Sequence, residues 1–287
     1  MLLESVISYQ LSVISSLITV YCLLITEKFP HFPISPFPIP HFPTSPLPTS
    51  PFPHFPTPQF MRIETLKSGL IVSCQAPVES SLHDPIIIAA MAHACVDRGA
   101  CGVRIDSPAH LKATRQQLPD IPIIGLWKRN YRDCSVYITP KYQDALAIAD
   151  AGADIIALDA TPRKRPNDEN LATIIDRIHQ ETGKLVMADI DSIESAIYAV
   201  AAGADIVGTT LYGYTEATKN LPPPSFSFLE ELVNKLSVPV ICEGGISTPT
   251  EAKKALEVGA YSVVVGTAIT GIDLKTTAFL QGILSKD

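Results

Sequence analysis

The chain holds six cysteines but no closely spaced pair of them. Cys22, Cys74, Cys95, Cys101, Cys134 and Cys242 stand singly, with no CxxC and no His/Cys cluster at zinc-ligand spacing. That pattern excludes a finger-type metal centre and a disulfide-dense secreted scaffold, and predicts buried, reduced thiols, no metal site and a cytoplasmic location. Basic charge is also scarce. The 22 Lys and Arg are outnumbered by 29 Asp and Glu, a net charge of -7, so the chain lacks the broad basic face that general nucleic-acid binding requires. No GxGxxG motif opens an early helix, which removes the main signature of a dinucleotide-binding, doubly wound sheet. His83, His93, His110 and His179 are scattered and read as surface or core residues, not metal ligands.

Residues 1–60 lack the alternation of apolar and polar residues that organises a fold. Val6 to Thr26 is uncharged and apolar, matching the length of about 20 residues that a membrane span needs. It has no positively charged leader, since Glu4 is the sole early charge, and no small-residue cleavage site. Phe29 to Gln59 is a proline-rich run of near-repeats, which bars helices and sheet ladders and predicts extended or disordered chain. The expectation is that the native protein starts at Met61 and that residues 1–60 are translated upstream sequence. The rival reading is a membrane anchor with a spacer. Residues 61–287 then form one domain.

From Met61 onward, apolar β-rich runs alternate with amphipathic helical stretches, the pattern of parallel strands covered by helices. The strands are expected at Leu70–Cys74, Gly102–Ile105, Ile121–Trp127, Asp154–Leu158, Lys184–Ala188, Asp205–Thr209, Val238–Cys242 and Tyr261–Val265. Helix starts are marked by Pro85, Ser107-Pro108, Thr139-Pro140 and the stretch from Ser247 to Thr250. Four helices are punctuated by Gly-Ala, at Gly99, Gly152, Gly203 and Gly259, where glycine can turn the chain through a left-handed conformation into the next strand. Eight such units predict an α/β fold, a (β/α)8 TIM barrel, with an open doubly wound sheet as the alternative.

In such a barrel the catalytic face is built from the strand C-termini and the loops that follow. Polar residues fall there in order: Gln75, Arg104, Lys128, Asp159, Asp189, Thr209-Thr210 and Glu243. Any one of them reads equally well as a solvated strand end, whereas seven converging on one mouth point to a site. After the seventh and eighth strands come Gly244-Gly245 and Gly266-Thr267, turns whose backbone amides can hold a phosphate. The basic run Arg163-Lys164-Arg165 reads as a solvated loop in preference to a phosphate contact.

The blocks Gly69 to Ala76, Ile124 to Arg129, Tyr137 to Pro140, Ala153 to Thr161, Met187 to Ile190, Gly208 to Thr215 and Val263 to Thr270 together resemble the N-acylglucosamine-6-phosphate 2-epimerase family, also called N-acetylmannosamine-6-phosphate epimerases. The resemblance runs from Leu66 to Ile269. It implies conversion of N-acetylmannosamine 6-phosphate to N-acetylglucosamine 6-phosphate, a step in amino-sugar and sialic acid breakdown, without added cofactor. It also implies Lys128 and Glu243 as catalytic residues and Arg104 and Asp189 as substrate contacts; position at the mouth adds Gln75, Asp159 and Thr210 to the expected substrate contacts and Gly213, Gly244, Gly245, Gly266 and Thr267 to the expected phosphate site. Two positions depart from the family pattern: Ile105-Asp106-Ser107-Pro108 replaces a small, Asn-containing turn, and Gly245 stands where an Arg is frequent.

Inverting C2 of an open-chain 2-acetamido sugar phosphate requires loss of the proton next to the C1 aldehyde, an enediolate-like state, and reprotonation from the other face. Lys128, in a partly desolvated mouth, is the expected proton carrier, with Glu243 orienting it or exchanging the second proton. Arg104 suits the growing negative charge on oxygen, while Asp189 and Gln75 suit hydroxyl or acetamido groups. The expected partners are a small phosphosugar and a second copy of the chain as a homodimer, with no nucleic acid and no membrane for the barrel. Competing readings are another phosphosugar barrel enzyme, a lyase or synthase; a non-catalytic phosphosugar-binding regulator; and a membrane-tethered interaction protein.

Overall fold

A computed structural model of the protein describes residues 63–285. The expectations for Val6 to Thr26, for the proline-rich run and for Cys22 lie outside the described residues. Short runs of Val, Ile and Leu form eight parallel strands: β1 Leu70–Cys74, β2 Gly102–Asp106, β3 Ile123–Leu126, β4 Ile155–Asp159, β5 Leu185–Asp189, β6 Ile206–Gly208, β7 Val240–Glu243 and β8 Ser262–Val265. They pair in chain order, and β1 closes on β8 through Leu70 with Val263, Ile71 with Val264 and Val72 with Val265. The protein is a (β/α)8 barrel. Each strand fell within two residues of its expected start.

The period of two along each strand divides its side chains between two cores. Ile71, Ile124, Ile155, Met187, Ile241 and Val264 point inward and fill the barrel. Val72, Val103, Ile123, Ile156, Val186 and Val263 point outward, into the cluster shared with the helices. The helices are α1 Pro85–Val96, α2 Pro108–Gln117, α3 Tyr142–Asp150, α4 Leu171–Arg177, α5 Ile193–Ala201, α6 Phe226–Lys235, α7 Pro249–Val258, the single turn α8 Thr267–Thr270 and α9 Ile272–Leu284. Their starts follow local chemistry. Asp84 accepts from the amides of Ile86 and Ile87 ahead of Pro85, and Thr248 with Glu251 forms a reciprocal cap on α7. Gly99, Gly152, Gly203 and Gly259 all have positive φ, as their role in stopping helices requires.

Two features departed from the sequence reading. The third strand was expected to reach Trp127 but ends at Leu126, and beyond it Lys128 pairs across an isolated antiparallel bridge with Ile138. The basic run is not a solvated loop: Arg165 is buried and donates to the Pro140 carbonyl, while Arg163 is held by Asp159, Thr161 and the Ser135 carbonyl. The C-terminal helix α9 buries none of its residues. Cys74 and Cys242 are buried, whereas Cys95, Cys101 and Cys134 are half-buried free thiols. Among the described residues no helix is long and apolar enough to cross a membrane.

Candidate active site

Because every strand runs the same way, Arg104 of β2 and the last residues of β4, β5 and β7 come together toward one end of the barrel. Arg104 is the centre of that mouth and is 1% exposed. Its guanidinium forks onto Asp189, with Nη1 to Oδ1 at 3.2 Å and Nη2 to Oδ2 at 2.5 Å, and Nη1 lies 3.1 Å from Glu243 Oε2. Thr210 closes the group from above, its Oγ1 standing 2.7 Å from Asp189 Oδ1 and 3.0 Å from Glu243 Oε2. Thr209 fixes the Glu243 main chain, accepting from its amide and donating to its carbonyl.

This packing sets the electrostatics. Burial works against the charge on Arg104, but Asp189 and Glu243 outweigh it and hold the guanidinium firmly protonated. Glu243 bears the cost of sharing one cation with a second carboxylate. Burial pushes its carboxyl up to about 7, with Asp189 adding to the shift and Arg104, Thr210 and Lys128 opposing it. A carboxyl titrating near neutrality can both take and give a proton at working pH.

Lys128 reaches the same mouth from β3. Its Nζ donates to Gln75 Oε1 at 2.5 Å, Gln75 Nε2 donates to Ser73 Oγ at 2.9 Å, and the Lys128 amide donates to Asp106 Oδ1 at 2.9 Å. The turn at Ile105 to Pro108 therefore anchors the lysine. The desolvated lysine expected from the sequence is corrected here, because Lys128 is exposed and burial instead falls on Glu243. Arg104 is likewise corrected in its surroundings: it lies beneath the site, engaged by two carboxylates. Asp159, fully buried, accepts from the amide and hydroxyl of Thr161 and from Arg163, and burial raises its carboxyl despite Arg163.

The glycine turns divide into two kinds. The amides of Gly244, Gly245, Gly266 and Thr267 have no acceptor among the described residues, so they are available at the mouth. Gly213 is corrected: its amide already donates to Thr218 Oγ1 at 3.0 Å, and its φ of 85° serves a close approach to the Leu221 carbonyl and Pro223. Gly245, with φ of 71°, is also required by packing, since a Cβ there would lie 2.3 Å from the Pro223 oxygen. No group of three or more His, Cys, Asp or Glu is placed to hold a metal ion among the described residues.

Residues 88–285 match the family model described as "Putative N-acetylmannosamine-6-phosphate epimerase". The chain belongs to this epimerase family. A relative from Synechococcus elongatus, named "Putative N-acetylmannosamine-6-phosphate 2-epimerase", is 57% identical over 223 residues, covering 77% of this chain and 96% of its own. One of the same name from Thermosynechococcus vestitus is 61% identical over 218 residues, covering 76% and 94%. The solved N-acetylmannosamine-6-phosphate 2-epimerase of Clostridium perfringens is 42% identical with a TM-score of 0.74, covering 83% of this chain and all of that one.

Two contributors to this epimerase-family mouth were missed in the sequence. Asp106 sits in the turn that departs from the family pattern, and only tertiary pairing reveals that it holds the Lys128 main chain. Tyr137 was visible as part of a family-like block, but nothing in its spacing shows that its ring packs on the inner-barrel cluster. Its phenol is pushed up to about 12, first by burial and then by Asp189 and Asp159.

Proposed function

We propose that the protein is an isomerase that epimerises C2 of N-acetylmannosamine 6-phosphate to give N-acetylglucosamine 6-phosphate, without added cofactor. The observation that carries this reading is the convergence of Lys128 and Glu243 on one mouth, with the Glu243 carboxyl held near neutrality above Arg104. The C2 proton is acidic because the adjacent C1 aldehyde delocalises the charge left behind. Lys128 stands on the β3 wall and Glu243 on the β7 wall, so one removes the proton from one face and the other returns a proton to the opposite face. General acid–base assistance of this kind contributes about 10²- to 10⁴-fold.

Gln75 and Asp106 aim Lys128, and Arg104 with Thr210 aims Glu243 and Asp189. Asp189 and Asp159, already bonded to Arg104 and to Arg163, form the buried floor on which the sugar rests. The amides of Gly244, Gly245, Gly266 and Thr267 hold the phosphate, whose binding energy positions C2. In D₂O the product should carry deuterium at C2, and Lys128→Ala should abolish turnover in a folded protein. Near-normal turnover by that variant would remove Lys128 from the chemistry, and failure of the wild type on this substrate would remove the reading itself.

The reading includes a homodimer in the cytoplasm. Phe279, Leu280, Ile283 and Leu284 on α9 are each more than half exposed, and the first three line, with Ile269 and Ile272, a concavity of about 520 Å³. Leaving each such side chain in water costs about 1.5–3 kcal/mol, and a two-fold pairing of identical faces removes that cost. The dimer should appear as twice the chain mass in light scattering. A wild-type monomer at micromolar concentration would contradict it.

A further inference from the structure

Nearly every polar group at the mouth is already engaged by a neighbour. Arg104 is shared by Asp189 and Glu243, Thr210 bridges those carboxylates, Lys128 is held by Gln75, and Asp159 is held by Arg163 and Thr161. The hydroxyl of Tyr137 differs: it has no hydrogen-bond partner among the described residues, although its surroundings are strongly polar. The charges of Asp189, Asp159, Arg163 and Arg104 all act on it, and the main chain beside it accepts from the Asp159 amide at Ile138. Its ring packs on the inner-barrel cluster, so the hydroxyl is presented at the rim of a fixed apolar surface.

The backbone ties Tyr137 to the proposed proton carrier. Lys128 pairs with Ile138 across the short antiparallel bridge, and the Arg129 amide donates to the Tyr137 carbonyl at 2.9 Å. The main chains of Tyr137 and Lys128 are therefore adjacent beyond β3, on the side of the barrel away from the Gly244–Gly245 and Gly266–Thr267 turns. If C2 lies against Lys128, the substituent on that side is the one attached to C2.

The chemistry of the group selects its partner. A phenol that stays protonated through neutral pH is a donor. The charges that reach it balance, Asp189 and Asp159 against Arg163 and Arg104, so nothing there draws an anion and an uncharged acceptor suits it better than the phosphate. We propose that Tyr137 recognises the N-acyl group of the sugar, its hydroxyl donating to the acetamido carbonyl oxygen while its ring edge lies against the acyl methyl. This rests on the epimerase reading above, and it adds a specificity-determining residue to it.

The test pairs a change in the protein with a change in the ligand. Full-length wild type and Tyr137→Phe are titrated calorimetrically with N-acetylglucosamine 6-phosphate and with glucose 6-phosphate, which lacks the acyl group. One uncharged hydrogen bond is worth about 0.5–1.5 kcal/mol, or about two- to tenfold in Kd. The variant should bind the N-acetyl compound about two- to tenfold more weakly, bind glucose 6-phosphate as the wild type does, and melt at an unchanged temperature. Equal weakening of both ligands, or weakening of neither, overturns the proposal. A lowered melting temperature is resolved with Tyr137→Met, which keeps apolar bulk: recovery of N-acetyl selectivity in that variant also overturns it. Turnover of N-acetylmannosamine 6-phosphate by the wild type is scored separately. Its absence alongside the expected binding pattern would refute the epimerase reading while leaving the acyl contact in place.

Discussion

Replacing Thr210 by Val tests the electrostatics of the mouth with little change of shape. The lost hydroxyl stands 2.7 Å from Asp189 and 3.0 Å from Glu243, and it has one proton to donate between them. A hydrogen bond to a charged acceptor contributes about 1.5–3 kcal/mol, so about 1 kcal/mol of the loss falls on ionised Glu243. That moves its titration upward by about 0.7 pH unit from a starting value of about 7. At pH 7 the ionised fraction falls from about one half to about one sixth, so a step that needs the carboxylate slows about threefold and recovers near pH 9. The readout is the midpoint of the acid limb of kcat/KM, because that midpoint is insensitive to any separate loss of substrate contact. An acid limb superimposable on that of the wild type, in an active variant, would show that Glu243 is not the titrating group or that Thr210 does not stabilise it.

Other outcomes follow from the same contacts. Glu243 has its folded value raised from 4.5 to about 7, so its stabilising contribution is complete below pH 4.5 and is lost as pH rises through 7. The ceiling is on the order of 3 kcal/mol; urea unfolding at pH 5 and pH 8 should show Glu243→Gln losing much of the wild-type difference. Arg104→Ala leaves Asp189 and Glu243 buried without their cation and should cost about 3–5 kcal/mol, read as a large drop in melting temperature. A Phe279→Asp, Ile283→Asp double variant should scatter as a monomer if α9 forms the dimer contact, and an unchanged mass would exclude that face. The Met61–Asp287 fragment should retain the full rate of epimerisation, since every site residue lies within it, and an inactive but folded fragment would assign residues 1–60 a role in activity.

The barrel was legible because its determinants are local. Runs such as Ile123 to Leu126 and Ile155 to Leu158 are apolar on both faces, as strands covered by helices and filled from within must be. The helix stops at Gly99, Gly152, Gly203 and Gly259 depend on one residue's conformational freedom, which composition reveals directly. The order of polar residues at strand ends was equally legible, since parallel strands bring their C-termini to one face whatever the packing details.

What a side chain does at that face was decided only by tertiary structure. Lys128 and Glu243 were both named from their positions, yet the burial expected for the lysine fell on the glutamate. Asp106 reaches Lys128, and Arg104 reaches Asp189 across 85 positions of chain. No local pattern encodes which carboxylates will share one buried guanidinium, or that the charges of both ion pairs will act on Tyr137. The pKa values and contacts that define the site depend on distances between strands far apart in sequence, and those distances exist only once the barrel closes.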